Sequence, residues 1–397
     1  MFRVIPRFRV SLEWREIWCG LFADKPRDFE EAFSAYIGVR NAIAVPSGRA
    51  GLYVILKSLG IGENADIILP AFTYWAIPAT IKMLGFNPVF VDIDPDTYEM
   101  RPEILKGKIT GKAGAVIPTH LYGLPCDISA IAEIAGQRGL TVIEDCVQSC
   151  GAVHHGRKAG SFGKAAYFSF GITKNIPLIG GGMVVTDDDA LAAKIRSAIA
   201  GCGLLGQSAV VRKLCQAALM KTFTVPAVFM CGLYPFVLIS SVLGRDIVHN
   251  VFAENKSPVP ENDFKKHLKL LPPQILSRMG GAVLSRLDGM ISARVRHGRA
   301  LRGLLADARD VTLPRDPGDN IFTNFPVRHN ERECFRKELL KRGVDTSAGY
   351  MEAFGDAPNA KKAAREILHL PLYPSLSEDD ILYMGNAVKS AVARTGL

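Results

Sequence analysis

The first half of the chain alternates short apolar segments with segments whose apolar residues recur at helical spacing. The pattern predicts strands at 41–45, 66–69, 88–92, 113–117, 140–143, 165–170 and 182–185, and helices at 52–59, 76–84 and 128–137. This order is typical of an α/β domain built on a mostly parallel sheet. Ligands of such sheets bind at the carboxyl ends of the strands, so the residues that follow the strands are candidates for a functional site.

The length of the chain predicts more than one domain. At roughly 150 residues per domain, 397 residues suggest two or three. A polar stretch at Glu254–Lys266 is a plausible boundary. We therefore expect a large α/β domain at 1–255, with an apolar insert at about 205–250, and a smaller α+β domain at 256–397 that contains a long helix, Pro273–Leu305.

Composition excludes some classes of protein. Hydrophobic residues make up 48% of the chain and charged residues 22%, so a large core can form. The net charge of +9 includes local clusters such as Lys265-Lys266 and Arg294-Val295-Arg296. Because no nucleic-acid-binding motif accompanies them, the basic residues favour anionic substrates or an anionic membrane.

The eight cysteines are scattered, with no C-x-x-C pair and no Cys/His set at zinc spacing. The N-terminal sequence MFRVIPRFRVSLEWRE lacks the apolar core of a signal peptide. These features predict reduced thiols, no metal site and a cytoplasmic location. Contact with the inner face of the cytoplasmic membrane stays open as an alternative.

One segment is unusual for a soluble enzyme. The residues from Thr222 to Gly244, TFTVPAVFMCGLYPFVLISSVLG, include no charged side chain and are long enough to be a membrane-span candidate. Pro226, Gly232 and Pro235 interrupt the segment, which favours a re-entrant or interfacial hairpin over a straight span. A buried helical insert or a hydrophobic dimer surface is the alternative.

Lys174 is the only charged residue between Lys164 and Asp187. An ammonium group in apolar surroundings is unfavourable unless it is paired or neutralised, and burial lowers the pKa of a lysine. A neutral amine of this kind forms Schiff bases with carbonyl groups, including that of pyridoxal 5′-phosphate (PLP). The alternative is a lysine at a strand end whose ammonium group reaches water.

Asp145 follows the predicted strand 140–143, and Gln148 comes three residues later. A carboxylate at this position can pair with a pyridinium nitrogen and keep it protonated. An acid that caps a helix is the alternative for Asp145, and a polar residue on a solvated turn is the alternative for Gln148.

The turn Ser47-Gly48-Arg49 lies between a strand and a helix, where free N–H groups can bind phosphate. Gly48 permits close backbone approach, Arg49 adds a bidentate positive charge, and Ser169 could offer a hydroxyl. Tyr74, after the second strand, could stack on a cofactor ring, although a core aromatic residue is the alternative.

The order of these features is more specific than any one of them, and with it the chain resembles the DegT/DnrJ/EryC1/StrS sugar aminotransferases, which are fold-type I PLP enzymes. The matching stretches include AIAVPSGRAGL, ILPAFTYWAIPATIKMLGFNPVFVDID, VIEDCVQSCGAVHHGRKAGSFGKAAYFSFGITKN and ILHLPLYPSL. The resemblance covers nearly all of the chain except roughly 200–260.

The resemblance implies a role for each candidate. Lys174 is similar to the lysine that binds PLP covalently and carries the proton. Asp145 is similar to the partner of the pyridine nitrogen, and Gln148 to a glutamine that contacts the ring. Gly48, Arg49 and Ser169 match the phosphate-binding positions, and Tyr74 matches the stacking aromatic residue.

The chain also departs from the family pattern. Arg49 stands where a small hydroxyl residue is usual, and Gly180 replaces an acid. Lys269-Leu270-Leu271 aligns with an N-Y-R motif whose asparagine reaches the phosphate of the neighbouring subunit, so Lys269 is a candidate substitute for that asparagine. These departures leave the predicted cofactor unchanged and bear on the substrate.

The resemblance implies an aminotransferase that acts as a homodimer. It implies transfer of an amino group, usually that of glutamate in this family, to a nucleotide-linked keto sugar for surface polysaccharide or aminosugar biosynthesis. One alternative is the same chemistry on a lipid-linked or apolar keto substrate at a membrane. A PLP-binding regulatory protein without turnover is the other.

Overall fold

The computed structural model describes residues 2–22, 28–242 and 260–395. The elements of the first half are, in chain order, α1 Trp14–Phe22, α2 Phe29–Ile37, β1 Asn41–Val45, α3 Gly48–Ser58, β2 Asp66–Pro70, β3 Phe72–Tyr74, α4 Ala76–Met83, β4 Asn87–Val91, α5 Pro102–Lys108, β5 Ala113–Val116, α6 Ile128–Gln137, β6 Thr141–Asp145, β7 Val153–His154, β8 Arg157–Lys158, β9 Ala165–Ser169, β10 Gly182–Thr186 and α7 Asp189–Ile199. The seven predicted strands are all present, with ends that differ from the prediction by one or two residues.

These strands form one seven-stranded sheet in the order β1-β10-β9-β6-β5-β2-β4. β10 runs antiparallel to both of its neighbours, with Ile43 opposite Val184 and Val184 opposite Tyr167. The other neighbouring pairs, β9–β6, β6–β5, β5–β2 and β2–β4, are parallel. The prediction of a mostly parallel sheet is confirmed.

Helices cover both faces of this sheet because its strands are apolar on both sides. On one face, Ile43, Ile67 and Val184 pack in a single cluster with α3, α4 and α7. On the other face, residues offset by one position, such as Ile68 and Val185, contact α2, α5 and α6. The sheet therefore has a hydrophobic core on each face, and the polar residues at the carboxyl ends of the strands lie at the edge of both cores.

The second half contains β11 Gly203–Leu204, α8 Gln207–Phe223, α9 Pro226–Cys231, α10 Tyr234–Val242, α11 Glu261–Lys266, β12 Lys269–Leu270, α12 Pro273–Leu284, α13 Leu287–Leu305, β13 Phe325–Arg328, α14 Arg332–Lys341, β14 Met351–Ala353, α15 Pro358–Glu366, β15 Ile367–Leu370 and α16 Glu378–Thr395. β13 and β15 pair antiparallel and pack with α14, α16 and the end of α13 in a separate cluster.

The single helix predicted at Pro273–Leu305 is wrong, because the structure has two helices there, α12 and α13. Arg286 lies between them with φ −116° and ψ 5°, outside helical geometry. Its guanidinium forms an ion pair with the buried carboxylate of Glu16 and also bonds the carbonyl of Ser11. The break between α12 and α13 therefore lets the Arg286 side chain contact the N-terminal segment.

The apolar segment, which we define as residues 222–242, is divided where its proline and glycine residues predict. α8 ends at Phe223 before Pro226, and Gly232 separates α9 from α10. In the described part of the chain, no helix combines the length and hydropathy that a membrane span requires. Gly244 lies outside the described residues, as does the predicted domain division between residues 255 and 256, which stays a prediction.

Candidate active site

A cavity of about 1150 Å³ opens at the carboxyl ends of the sheet strands, between the sheet and the C-terminal part of the chain. The sequence-predicted site residues all line it, namely Gly48, Arg49, Tyr74, Asp145, Gln148, Ser169 and Lys174. They come from five different turns or strand ends, so the topology of the sheet is what brings them together.

Lys174 lies in the turn after β9, where its backbone N–H donates to the carbonyl of Gly171 over 2.8 Å. Its Nζ lies 3.4 Å from the hydroxyl of Tyr350, and its side chain is half-buried. Lys174 is therefore only partly buried, although its neighbours in the sequence are apolar. The apolar neighbours Ile176 and Leu178 enter the core, while the amine faces the cavity.

Asp145 ends β6 and is only 4% exposed. Its Oδ1 accepts a hydrogen bond from the backbone N–H of Val147 over 3.0 Å. Burial raises the pKa of the Asp145 carboxyl, while the Val147 N–H and the positive charge of Lys174 oppose that rise. A cationic partner in the cavity would stabilise this buried carboxylate.

Gln148 is buried one turn further along, and its side-chain carbonyl accepts from the backbone N–H of Tyr122 over 3.2 Å. This bond fixes the orientation of the amide. The amide carbonyl is therefore engaged, and the NH₂ group is the part of Gln148 that can donate to a ligand.

The turn that opens α3 has the geometry of an anion site. The Ser47 hydroxyl caps the helix by accepting from the Ala50 N–H over 3.1 Å. Gly48 is the first helical residue, and a Cβ on it would lie 3.2 Å from Cβ of Ser169 and 3.2 Å from Cγ2 of Val147. A side chain at position 48 would therefore crowd Ser169 and Val147, at the positive end of an eleven-residue helix.

Aromatic side chains form another part of the cavity wall. Tyr74 meets Tyr350 edge to face, with ring centroids 5.8 Å apart. The guanidinium of Arg49 lies over the ring of Trp75, 4.7 Å from its centroid. β14 pairs antiparallel with β3, opposing Met351 to Tyr74, and so carries Tyr350 into the site.

Several residues of the cavity escaped the sequence analysis. Tyr350, Lys213 and His369 lack a local pattern that would mark them. Arg294 belongs to a basic cluster that we interpreted as exposed, but it is only 5% exposed and bonds the side-chain carbonyl of Asn175, next to Lys174. Its presence in an apolar helical stripe was the available signal.

A second buried polar group lies beneath the site, where ligand-type atoms of His120, Glu144 and Cys146 fall within 4.8 Å of one another. His120 Nδ1 accepts from the backbone N–H of Cys126 over 3.1 Å, so Nε2 carries the proton and donates to Glu144. Neither ring nitrogen keeps a lone pair for a metal. Three backbone N–H groups, from Gly160, Phe162 and Gly163, also donate to Glu144, which marks a structural role.

Comparison with known proteins decides the family. The model of the DegT/DnrJ/EryC1/StrS aminotransferase family matches residues 15–214 and 273–389. The chain belongs to this family. It is a PLP-dependent aminotransferase, and the segment outside the match, 215–272, includes α9 and α10.

Two relatives and one structure show how similar the chain is to characterised members. The pleiotropic regulatory protein of Geobacillus stearothermophilus is 30% identical over 388 residues, which cover 92% of this chain and 88% of that protein. GDP-perosamine synthase of Caulobacter vibrioides is 43% identical over 169 residues, 43% of this chain and 46% of that protein. The crystal structure of S. venezuelae DesV in complex with a ketimine intermediate has a TM-score of 0.74 and 26% identity, and covers 99% of both chains.

The residues of this aminotransferase fit PLP on structural grounds. The close approach at Gly48 leaves a cradle beside Ser169 for a phosphate. The buried Asp145 carboxylate requires a cation, which a protonated pyridine nitrogen supplies. The amine of Lys174 faces the same cavity as both. Phosphate cradle, carboxylate and amine are the three groups that this cofactor needs.

Proposed function

We propose that this aminotransferase takes an amino group from glutamate and transfers it to a keto sugar linked to a nucleotide, as a cytoplasmic homodimer that serves surface polysaccharide or aminosugar synthesis. The observation that carries the proposal is the position of Lys174, with its amine in a cavity that also contains the buried carboxylate of Asp145. The similarity to GDP-perosamine synthase supports a nucleotide-linked substrate.

Different side chains of the site would bind the cofactor and transfer the proton. PLP, when bound, supplies an electron sink for the carbanion at the donor Cα. Lys174 would hold the cofactor covalently and, when free, would accept and return the proton of the donor Cα. Asp145 would keep the pyridine nitrogen protonated, while Gly48, Arg49 and Ser169 would hold the phosphate.

The size and charge of the cavity support a large anionic substrate. Its 1150 Å³ exceed the roughly 300–1,000 Å³ of an ordinary small-molecule site, so a cofactor and a nucleotide sugar can share it. Seven Lys and Arg residues line it against two acids, namely Arg7, Arg9, Arg49, Lys174, Lys213, Lys269 and Arg294 against Asp145 and Glu352. Lys269, the candidate for binding the neighbouring subunit's phosphate, lines the cavity of its own chain.

A second candidate is the same chemistry on a lipid-linked keto substrate, and the observation that favours it is the exposure of large apolar side chains in residues 222–242. Competition between a soluble nucleotide sugar and the lipid-linked form of the same sugar would separate the candidates. Preference for the soluble form supports the first.

The first prediction concerns Lys174. We expect Lys174→Ala to lose both covalent retention of the cofactor and transamination, because it removes the amine whose charge acts on Asp145 in the cavity. The measurement is mass spectrometry of the peptide after borohydride reduction with PLP, together with turnover of glutamate in the presence of a nucleotide-linked keto sugar.

Lys194→Ala is the matched control, since Lys194 is an exposed lysine on α7 that does not line the cavity. It should retain both the trapped cofactor and turnover. Full turnover in Lys174→Ala would contradict the assignment of the site, and trapped cofactor without any keto-sugar turnover in the wild type would contradict only the proposed acceptor.

A further inference from the structure

α10, in the apolar segment, exposes large apolar side chains that an ordinary surface helix would bury. In α10, Ser240 and Ser241 are each 3% exposed on the inner side. Phe236 and Ile239, one helical turn apart, are 66% and 60% exposed on the outer side. A surface helix of a globular protein normally buries its apolar stripe and exposes its polar residues. The outer side of α10 is therefore suited to an apolar environment.

The inner side of α10 is anchored to the rest of the molecule, so its orientation is fixed. The hydroxyl of Tyr234 donates to the backbone carbonyl of Leu340 over 2.7 Å. Tyr234 and Val237 pack with Val4 and Leu340 in one buried cluster. Turning the helix over to bury Phe236 would break these contacts.

The apolar surface continues from α10 onto the two preceding helices, which contact each other in sequence. Val228 and Met230 are exposed on α9, and Leu219 and Phe223 are exposed on α8 four residues apart. We call the exposed side chains of Leu219, Phe223, Val228, Met230, Phe236 and Ile239 the apolar face. All six residues lie in 215–272, the stretch that the family model does not match.

Two basic side chains, those of Arg212 and Lys221, lie on α8 beside the apolar face, and Glu13 and Glu16 lie near Lys221. The stretch 190–245 contains six Lys and Arg residues and no Asp or Glu. Arg212 is exposed on α8, and Lys221 lies at its end, where its Nζ donates to the carbonyl of Leu12. Lys221 also lies 5.8 Å from the ring centroid of Trp14.

Two tryptophans on the adjacent α1 complete the surroundings of the apolar face. Trp14 and Trp18 are 47% and 56% exposed and are four residues apart, and α1 contacts α8. Tryptophan beside basic residues is characteristic of side chains at the level of lipid headgroups.

We propose that the apolar face docks on the surface of a membrane that contains anionic lipids, with Phe236 and Ile239 inserted among the acyl chains and the basic residues at the headgroups. α10 has nine residues and is about 13 Å long, less than half of a hydrocarbon core of about 30 Å, so it lies in the interface. The proposal does not depend on the identity of the sugar.

Vesicle flotation in a density gradient tests the proposal. The full-length holoenzyme is mixed with vesicles of phosphatidylcholine, with or without phosphatidylglycerol, and aggregates stay at the bottom of the gradient. We expect the wild type to float with anionic vesicles and to be released by high salt, which screens the headgroup charges. Phe236→Ser/Ile239→Ser should lower the partition coefficient roughly tenfold or more, since two large apolar side chains lose their insertion.

Val153→Ser/Leu382→Ser is the matched control, because both residues are exposed apolar side chains outside the apolar segment. It should float like the wild type. Tryptophan emission of the wild type, which needs no variant, should shift to shorter wavelength when anionic vesicles are added.

Two results would overturn the proposal. One is a wild type that stays at the bottom with both kinds of vesicle. The other is a dimer that Phe236→Ser/Ile239→Ser converts to a monomer in sedimentation velocity without lipid, since the apolar face would then be a subunit interface.

Discussion

At the scale of single residues, His369 is a titratable group of the cavity wall whose charged form is disfavoured by burial. It lies in β15, 5% exposed, with its ring 4.8 Å from that of Tyr122. Burial lowers the pKa of His369 to about 4. The unfolded chain, with a His pKa of about 6.5, binds this proton first as the pH falls.

His369 is therefore predicted to make the protein sensitive to acid. Because the folded pKa is the lower one, stability is present at pH 7 and is lost as pH falls from about 6.5 towards about 4. Going from about pH 7 to about pH 5 should remove about 2 kcal/mol through this one group. Urea denaturation at both pH values should show a smaller loss for His369→Gln, whereas His155→Gln, at an exposed histidine, should lose as much as the wild type. Equal losses in all three proteins would contradict the prediction.

The residues that sequence reasoning found are those that a local pattern marks. Lys174 stands out because its neighbours on both sides are apolar, and Asp145 because it follows a strand. Tyr350 was not predictable, since it approaches Lys174 across 176 positions of the chain. Arg294 was misread because a charge looks exposed in a sequence, whereas here Asn175 pairs with it in the interior.

At the scale of elements, hydrophobic periodicity predicted the sheet well and the boundary between α12 and α13 poorly. Most of the sheet strands are buried on both faces, so their residues are apolar whatever surrounds them, and such strands can be recognised locally. The break at Arg286 depends on Glu16, 270 positions away, with which its side chain forms an ion pair. A helical pattern of apolar residues does not record such a partner.

α8 brings the positive charge of Lys213 to the cavity, close to Gly180. Nζ of Lys213 lies 3.7 Å from where a Cβ would stand on Gly180, the position that carries an acid in the usual pattern. Lys213 lines the cavity and is half-buried. A lysine at this place, beside a glycine where the family pattern has an acid, favours an anionic group.

We therefore predict that Lys213→Ala raises KM for the nucleotide-linked keto sugar roughly tenfold, the effect of removing one partly exposed charge-assisted contact. The half-reaction with glutamate should be unchanged, which steady-state and single-turnover kinetics can separate. Arg212→Ala is the control, since Arg212 is exposed on the same helix but does not line the cavity. A loss confined to the glutamate half-reaction would contradict this role of Lys213.

At the scale of the whole molecule, the cavity exists only because distant parts of the chain close around the sheet. β14, from the C-terminal part, pairs with β3 of the first half and supplies one wall. The N-terminal segment supplies another, and it is attached to the C-terminal part by a bridge between Ile5 and Val344. Local patterns cannot predict these long-range pairings, which is why the sequence predicted the cofactor residues but not the outer walls.

Arg7 and Asp345 hold the N-terminal segment in place and give the last prediction. Their ion pair is bidentate, at 2.9 and 2.8 Å, with side chains 7% and 1% exposed. Asp345→Ala should cost about 3–5 kcal/mol of unfolding free energy, because it leaves a guanidinium buried without its carboxylate. Arg7→Met/Asp345→Leu should lose less than Asp345→Ala alone, since it leaves no uncompensated charge. Arg3→Met, which removes more exposed pairs with Asp379 and Asp380, should cost far less. Urea denaturation of the wild type and the three variants measures these differences. If the double variant is less stable than Asp345→Ala, the prediction is contradicted, and the ion pair stabilises the protein by more than the compensation of a buried charge.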